Sequence, residues 1–185
     1  MDVHTQLKSR QAVQATPGPM SLGFLPAVAR FSLRIAPADL ATASNAFGFE
    51  LPSRIGEASG KGSRRALCLG PDEWLLWAGE AEQGAIEEAF AASYGAAPHS
   101  LVSIGDREVG LFVEGPEAAT LLSVGCPIDL DRLAVGSGKR TVFDGVQVVL
   151  FRESAERFTL EVWRSFVPHV WELLNTANRE LIAGL

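Results

Sequence analysis

Alternating apolar and polar residues predict strands along much of the chain, and one strand–helix pattern occurs twice. In the later copy, Phe158 to Trp163 alternates with the period of a half-buried strand. Pro168 follows at a position typical of a first helical turn, and apolar residues then recur at helical spacing as far as Leu181. In the earlier copy, the motif GPDEWLLW at residues 70–77 precedes a helix of about Glu82 to Tyr94. The repeat indicates a duplicated chain.

A second pair of segments supports the duplication. Residues 34–51 (RIAPADLATASNAFGFEL) and 112–130 (FVEGPEAATLLSVGCPIDL) both place a strand before a proline and an acid in a first helical turn. Each continues with an apolar stripe and a glycine at which a helix can stop. Alternation and turn signals such as Asp144-Gly145 predict further strands at Phe31 to Ile35, Arg65 to Leu69, Glu73 to Trp77, Ser100 to Ile104, Glu108 to Val113, Arg140 to Phe143 and Val146 to Phe151.

The order strand, helix, strand, strand, helix in each half predicts an α+β fold. We expect duplicated split β-α-β (ferredoxin-like) units, with antiparallel sheets and helices packed on one face. The predicted organisation is a flexible tail at residues 1–22, a first half at 23–106 and a second half at 107–185. The segment Ser53 to Arg65 is rich in Gly, Ser and Arg, which favours an exposed, mobile loop.

Composition narrows the class of protein. The 185 residues are 47% hydrophobic and 21% charged, which is typical of a globular protein with a good core. The net charge of −6 argues against nucleic-acid binding. No window reaches the ~18–20 apolar residues of a membrane span, and the polar start lacks a signal core. Cys68 and Cys126 lie in no metal or redox spacing, so we expect buried, reduced thiols and a cytoplasmic location.

The motifs that could carry chemistry are incomplete. Residues 135–140 (VGSGKR) lack the first glycine and the Ser or Thr of a phosphate-binding loop, which leaves a turn as the better interpretation. The histidines His4, His99 and His169 have no paired spacing for a metal. No nucleophile–base pair stands out, so the residues alone assign no catalytic, cofactor or metal site.

Several strings resemble one family. They are GCPIDLD at residues 125–131, RTVF at 140–143 and LEVWRSFVPHVWELL at 160–174. LGPDEWLLW at 69–77 and the Asp106-Arg107 turn that leads into VGLFVEGPEA are also similar to it. Together they resemble the gamma subunit of heterotetrameric sarcosine oxidase, from roughly Phe31 to Ala177.

The resemblance implies a fold like the folate-binding domain of aminomethyltransferases, built from duplicated split β-α-β units. It implies partners, namely the alpha, beta and delta subunits, and an assembled enzyme that oxidises sarcosine to glycine and H2O2 while passing the methyl carbon to tetrahydrofolate. It also implies that FAD, FMN, NAD, zinc and tetrahydrofolate belong to those partners, with none on this chain. Residues 1–20 and the Ser53 to Arg65 loop carry no motif of the family.

Under this hypothesis the chain is a non-catalytic subunit that presents a surface to larger chains. Trp and Arg are typical interface anchors, so partner contacts or internal ion pairs are expected at Asp106, Arg107, Arg140, Trp163 and Arg164. Two alternatives remain: a stand-alone one-carbon or folate-binding protein of the same fold, and a small enzyme with an unrecognised site. A subunit that normally buries an apolar surface can also self-associate when expressed alone.

Overall fold

The computed structural model describes residues 20–183, with side chains described as far as residue 181. The predicted flexible tail therefore lies, over residues 1–19, outside the described part. The chain divides into two compact units. The N-unit comprises Ala27–Glu108 and Gly136–Lys139, and the C-unit comprises residues 20–26, Val109–Val135 and residues 140–183.

The elements of the described chain follow the order predicted by the periodicity, with two additional strands. In chain order they are β1 (Ser21–Phe24), β2 (Ala29–Ile35), α1 (Leu40–Phe47), β3 (Ala58–Lys61), β4 (Arg64–Gly70), β5 (Glu73–Ala78), α2 (Gln83–Ser93), β6 (His99–Ser103), β7 (Glu108–Glu114), α3 (Ala118–Ser123), β8 (Gly138–Phe143), β9 (Val146–Arg152), β10 (Arg157–Trp163) and α4 (Val167–Ala183). Short 3-10 turns precede α1, α2 and α4. No helix among residues 20–183 is long and apolar enough to cross a membrane.

Each unit contains one five-stranded sheet, and the two sheets have equivalent strand orders. The N-unit sheet runs β3-β4-β5-β2-β6, and the C-unit sheet runs β8-β9-β10-β7-β1. The pairings β2–β5, β2–β6, β3–β4, β4–β5, β1–β7 and β9–β10 are all antiparallel. The edge strands are exchanged between the repeats: β6 directly precedes β7 along the chain but pairs with β2, whereas β1 precedes β2 but pairs with β7.

Alternation along the strands explains the core of the N-unit. Side chains of β2, β4 and β5 that share one face pack with α1 and α2 in a single cluster. The helices contribute Ala43 and Phe47 from α1 and Ile86 and Phe90 from α2, and these are at most 1% exposed. Helix α1 ends where Gly48 adopts φ +92° and donates its N–H to the carbonyl of Ser44, a left-handed cap.

The core of the C-unit is built in the same way. Phe158, Leu160 and Val162 of β10 join Leu121 and Leu122 of α3 in one buried cluster. Helix α4 covers the same cluster with Val167, Val170, Leu174 and Ala177, at the helical spacing found in the sequence. The β8–β9 hairpin turns through Asp144 and Gly145 with φ of 47° and 77°. Both values are positive, as a two-residue turn of this kind requires.

The α+β class with two antiparallel sheets and helices packed on them is confirmed. The tail predicted for residues 1–22 is wrong at its end, because Ser21–Phe24 forms β1 and Leu22 is 5% exposed. The segment Ser53 to Arg65 is also not a simple loop. It contains β3, which pairs with β4 across a turn at Gly62 with φ +64°.

Candidate functional site

The described residues provide no group of three or more His, Cys, Asp or Glu that could hold a metal ion. His169 Nε2 lies 2.9 Å from Asp144 Oδ2, so this side chain links the β8–β9 turn to the start of α4. His99 Nδ1 lies 2.7 Å from the carbonyl oxygen of Ala97, and its ring packs edge-on against Phe90. Both imidazoles are thus engaged in contacts with the fold, and His4 lies outside the described residues.

The two thiols are free and buried, as expected from their apolar surroundings. Cys68 Sγ donates to the carbonyl oxygen of Gly70 over 3.2 Å. Burial is the largest influence on the pKa of Cys68 and raises it above the ordinary value. A thiol with a raised pKa is mostly protonated at neutral pH and is a poor nucleophile. Cys68 is therefore a core residue.

The predicted site residues Asp106 and Arg107 occupy the exposed turn between β6 and β7 in the N-unit. Arg107 Nη2 lies 2.9 Å from Glu108 Oε1, and the Glu108 side chain is only 8% exposed. This buried carboxylate therefore has a cationic neighbour within its own unit.

The other three predicted residues belong to the C-unit. Arg140 is an exposed residue of the edge strand β8. Trp163 ends β10 and is 37% exposed, and Arg164 begins the 3-10 turn that leads into α4. The ring of Trp163 lies 6.4 Å from that of Phe166, which is 44% exposed. The five predicted residues are thus divided between the two units, where Asp106 lies next to Arg107, Trp163 lies next to Arg164, and Arg140 stands apart in sequence.

The half-buried Arg157 has a clear structural role. Arg157 pairs with Glu153 at 2.8 Å and with Glu114, and its guanidinium lies 4.4 Å from the centre of the Phe112 ring. Desolvation opposes its charge, but the hydrogen bonds to the two carboxylates prevail, so the pKa of Arg157 is raised. These contacts fix β10 against β7 in the C-unit and leave the charge fully compensated.

The surface of the described chain includes several open grooves. One of about 510 Å3 lies along α1, one of about 440 Å3 along α4 and one of about 370 Å3 between α2 and β6. The acids that line them, Glu50, Glu172 and Glu87, are all exposed. A small-molecule site normally combines enclosure with a few convergent polar groups. These grooves are open to the surface and lack that enclosure.

Two exposed aromatic residues are not among the predicted site residues. Phe166 is next to the strand–helix junction, and Tyr94 ends the α2 segment with 56% of its side chain exposed. The sequence pattern assigns neither of them a role, because spacing alone does not show which side of a helix end is covered. For Phe166, a sequence signal exists: it follows the strand-terminal Trp163 by three residues, so the two aromatic rings can lie at the same surface.

The two antiparallel sheets with related strand orders, each packed with helices, define an α+β protein. The sequence model for the sarcosine oxidase gamma subunit family matches residues 34–180. The chain belongs to that family.

Individual relatives agree with this assignment. The chain is 32% identical over 142 residues to the sarcosine oxidase subunit gamma of Corynebacterium sp. (strain U-96), covering 75% of this chain and 68% of that one. It is 30% identical over 179 residues to the sarcosine oxidase subunit gamma from Arthrobacter sp., and the match covers 94% of this chain and 87% of that one.

Solved structures extend the agreement to the whole fold. A chain of the heterotetrameric sarcosine oxidase from Corynebacterium sp. U-96, solved with pyrrole 2-carboxylate, matches with a TM-score of 0.85 at 27% identity over 97% of this chain and 95% of that one. The aminomethyltransferase T of the glycine cleavage system from Bartonella henselae matches with a TM-score of 0.67 at 15% identity, over 89% of this chain and 47% of that one. The second likeness is one of fold, and it confirms the expected aminomethyltransferase-like architecture.

Proposed function

We propose that this chain is the non-catalytic gamma subunit of a heterotetrameric sarcosine oxidase and that it binds alpha, beta and delta subunits in a cytoplasmic complex. The observation that carries the proposal is the match over nearly the whole chain to one chain of such an enzyme. The free, buried thiols are suited to a reducing compartment.

The reaction proposed for the assembled enzyme is oxidative demethylation. Sarcosine, O2 and tetrahydrofolate give glycine, H2O2 and methylenetetrahydrofolate: two electrons leave the N-methyl group of sarcosine and reduce O2, and the oxidised carbon is transferred to the folate. We assign FAD, FMN, NAD, zinc and the folate to the partner subunits. In support, the buried carboxylates Glu73 and Glu108 are engaged by Arg34 at 3.1 Å and Arg107 at 2.9 Å, which gives each a structural role.

The contact with partners is proposed to include Trp163 and Phe166. Exposed aromatic rings are enriched at protein interfaces because they bury a large apolar area at low cost in side-chain entropy. The neighbouring Arg164 fits the same surface as a rim residue. Asp106, Arg107 and Arg140 remain candidates for polar contacts at other points.

The experiment is affinity purification of the tagged chain from its native cells. We expect large chains identifiable by mass spectrometry, flavin absorbance, and peroxide release that depends on sarcosine. A colourless, solitary protein would contradict the proposal. Sarcosine oxidation by the isolated chain would contradict its non-catalytic part.

A matched pair of variants tests the aromatic contact. Phe166→Ser removes a ring from the proposed surface, whereas Val124→Ser removes an apolar side chain that is 54% exposed at the end of α3. We expect the recovery of the complex to fall with the first variant and to stay unchanged with the second. Equal recovery for both would exclude Phe166 from the contact.

A further inference from the structure

The four edge strands of the two sheets differ in how they are protected from pairing with another chain. The edges β3 and β8 carry Lys61, Lys139 and Arg140, and charged residues discourage the addition of a further strand. Strand β1 has only four residues, and three of them are buried. Strand β6 (HSLVS) has no Lys, Arg, Asp, Glu or Pro, and three of its five residues are exposed. Strand β6 therefore lacks the charges of β3 and β8, and it is longer and more exposed than β1.

The register of β6 shows which of its backbone groups point to the open edge. Ile104 donates its N–H to the carbonyl oxygen of Arg30 over 2.8 Å. The pairs Ser32–Val102 and Arg34–Ser100 continue this register at every second residue. Because backbone groups alternate in direction along an antiparallel strand, the N–H and C=O of the intervening residues point away from β2. These residues are His99, Leu101 and Ser103.

Helix α2 lies beside this edge and contacts it at both of its ends. Gln83 at its start donates to Ser103 Oγ over 3.3 Å, and Tyr94 beyond its end packs its ring 5.5 Å from that of His99. Between these contacts lies the groove of about 370 Å3, lined by Glu87, Phe90, Ala91, Tyr94, His99, Ser100 and Leu101. An edge strand beside a helix is an arrangement into which an extended segment can be added as a further strand.

The charge of the α2 segment indicates which kind of side chain the added strand would carry towards it. Residues 79–94 contain four glutamates and no Lys or Arg. Glu82 is paired with Arg64 at 2.7 Å, whereas Glu87 lines the groove and accepts a hydrogen bond of 2.9 Å from the neutral amide of Gln83. A cationic side chain in the groove would complement Glu87 electrostatically. On the other side of the strand Val102 is 51% exposed and offers an apolar contact.

We propose that β6 receives an extended segment of a partner subunit as a sixth strand of the N-unit sheet, with a Lys or Arg of that segment facing Glu87 and an apolar residue beside Val102. The proposal rests on the proposed function, since it identifies where one partner subunit binds. Its backbone contacts are the outward N–H and C=O groups of His99, Leu101 and Ser103.

Amide hydrogen exchange of the wild-type chain, measured at single-residue resolution, tests the backbone contacts. In the isolated chain the amides of His99, Leu101 and Ser103 should exchange fast, whereas those of Ser100 and Val102 are already bonded to β2. In the purified complex we expect the three outward amides to slow on the order of a hundredfold, because a further strand satisfies them. Unchanged exchange of these amides in a complex that does form would overturn the proposal.

A matched pair of charge reversals tests the groove. Glu87→Lys and Glu88→Lys change the same charge on adjacent exposed residues of α2, but only Glu87 lines the groove. We expect Glu87→Lys to weaken assembly about tenfold, because repulsion replaces attraction, and Glu88→Lys to have a much smaller effect. Circular dichroism verifies that both variants fold. Equal effects of the two substitutions would exclude Glu87 from the contact and overturn the proposal.

The outcomes separate this inference from the proposed function. If the wild-type complex forms and the outward amides and Glu87 are unaffected, the docking surface is wrong and the proposed function stands. If no complex forms under any condition, both fail. If the isolated chain is a dimer in which the three outward amides are protected, a second copy occupies the edge, and the assignment to a partner subunit is wrong.

Discussion

The indole Nε1 of Trp74 donates a hydrogen bond of 2.7 Å to the carbonyl oxygen of Pro52. Trp74 belongs to β5 and is 2% exposed, whereas Pro52 lies in the segment between α1 and β3. The bond is buried, so neither group can exchange its partner for water. It therefore fixes the path of the chain after α1 relative to the N-unit sheet.

Replacing Trp74 by Phe should destabilise the protein by about 1–3 kcal/mol, because the Pro52 carbonyl loses a buried donor and the smaller ring leaves a cavity. Urea unfolding followed by circular dichroism measures the change. Trp163→Phe is the matched control at an exposed position, where we expect a change within about 0.5 kcal/mol. Similar losses for both variants would contradict the assigned role of the buried bond.

The sequence predicted most of the fold because the long strands and helices carry their own periodicity. The sequence of β10 alternates polar and apolar residues from Arg157 to Val162, although both of its faces are buried, and α4 keeps its apolar stripe from Val167 to Leu181. The two missed strands lack such a signal. Ser21–Phe24 has four residues and finds its partner at Glu114 and its neighbours, far away in the chain. Ala58–Lys61 has the Gly and Ser composition typical of a loop, and pairing with β4 makes it a strand.

The candidate contact surfaces were less predictable, for a physical reason. Whether a strand lies at an edge depends on the order of all strands in its sheet, and the exchange of β1 and β6 between the repeats is a long-range property. The sequence of β6 resembles that of any half-buried strand. Its lack of charge became informative only when the structure placed it at an edge. Trp163, in contrast, was recognisable because an aromatic residue that ends a strand often lies at the surface.

The same substitution should have opposite effects at two glycines. Gly48 has φ +92°, and a Cβ there would lie 3.1 Å from Nη1 of Arg64, so Gly48→Ala should destabilise by about 1–2 kcal/mol. Gly84 lies within α2 with nothing within 4 Å of its Cβ position, so Gly84→Ala should stabilise by about 0.5 kcal/mol. Thermal unfolding of the two variants measures both signs. A stabilised Gly48→Ala would show that the left-handed cap of α1 is not maintained in solution.

Arg152 holds the segment before β8 in place. Its Nη1 donates to the carbonyl oxygens of Leu130 and Leu133 over 3.1 and 2.9 Å, and its guanidinium lies 5.3 Å from the ring centre of Phe158. A lysine ammonium cannot reproduce the hydrogen bonds of the planar guanidinium, so Arg152→Lys should lower the free energy of unfolding by about 1–3 kcal/mol. Limited proteolysis should cut residues 129–135 faster in this variant. Arg132→Lys is the control, since its side chain is 88% exposed, and it should be cut like the wild type.

Glu82 gives the N-unit a pH-dependent contribution to stability. Hydrogen bonds from Ser63 and Arg64 to its carboxylate lower the pKa of Glu82 below its ordinary value of 4.5, with Ser63 as the largest cause. A lowered folded-state pKa means that the folded state favours the charged form. The contribution is therefore present above pH 4.5 and is lost as the pH falls through the lowered value.

Glu82→Gln should accordingly lower the free energy of unfolding near neutral pH, and its stability curve should approach that of the wild type as the pH falls well below 4.5. Urea unfolding between neutral and acidic pH measures the convergence. Ser63→Ala removes the largest cause of the lowered pKa of Glu82. Near neutral pH its stability should lie between those of the wild type and Glu82→Gln, and at low pH all three curves should converge. Curves for wild type and Glu82→Gln that stay parallel throughout would show that the Ser63–Arg64–Glu82 contact does not favour the charged carboxylate.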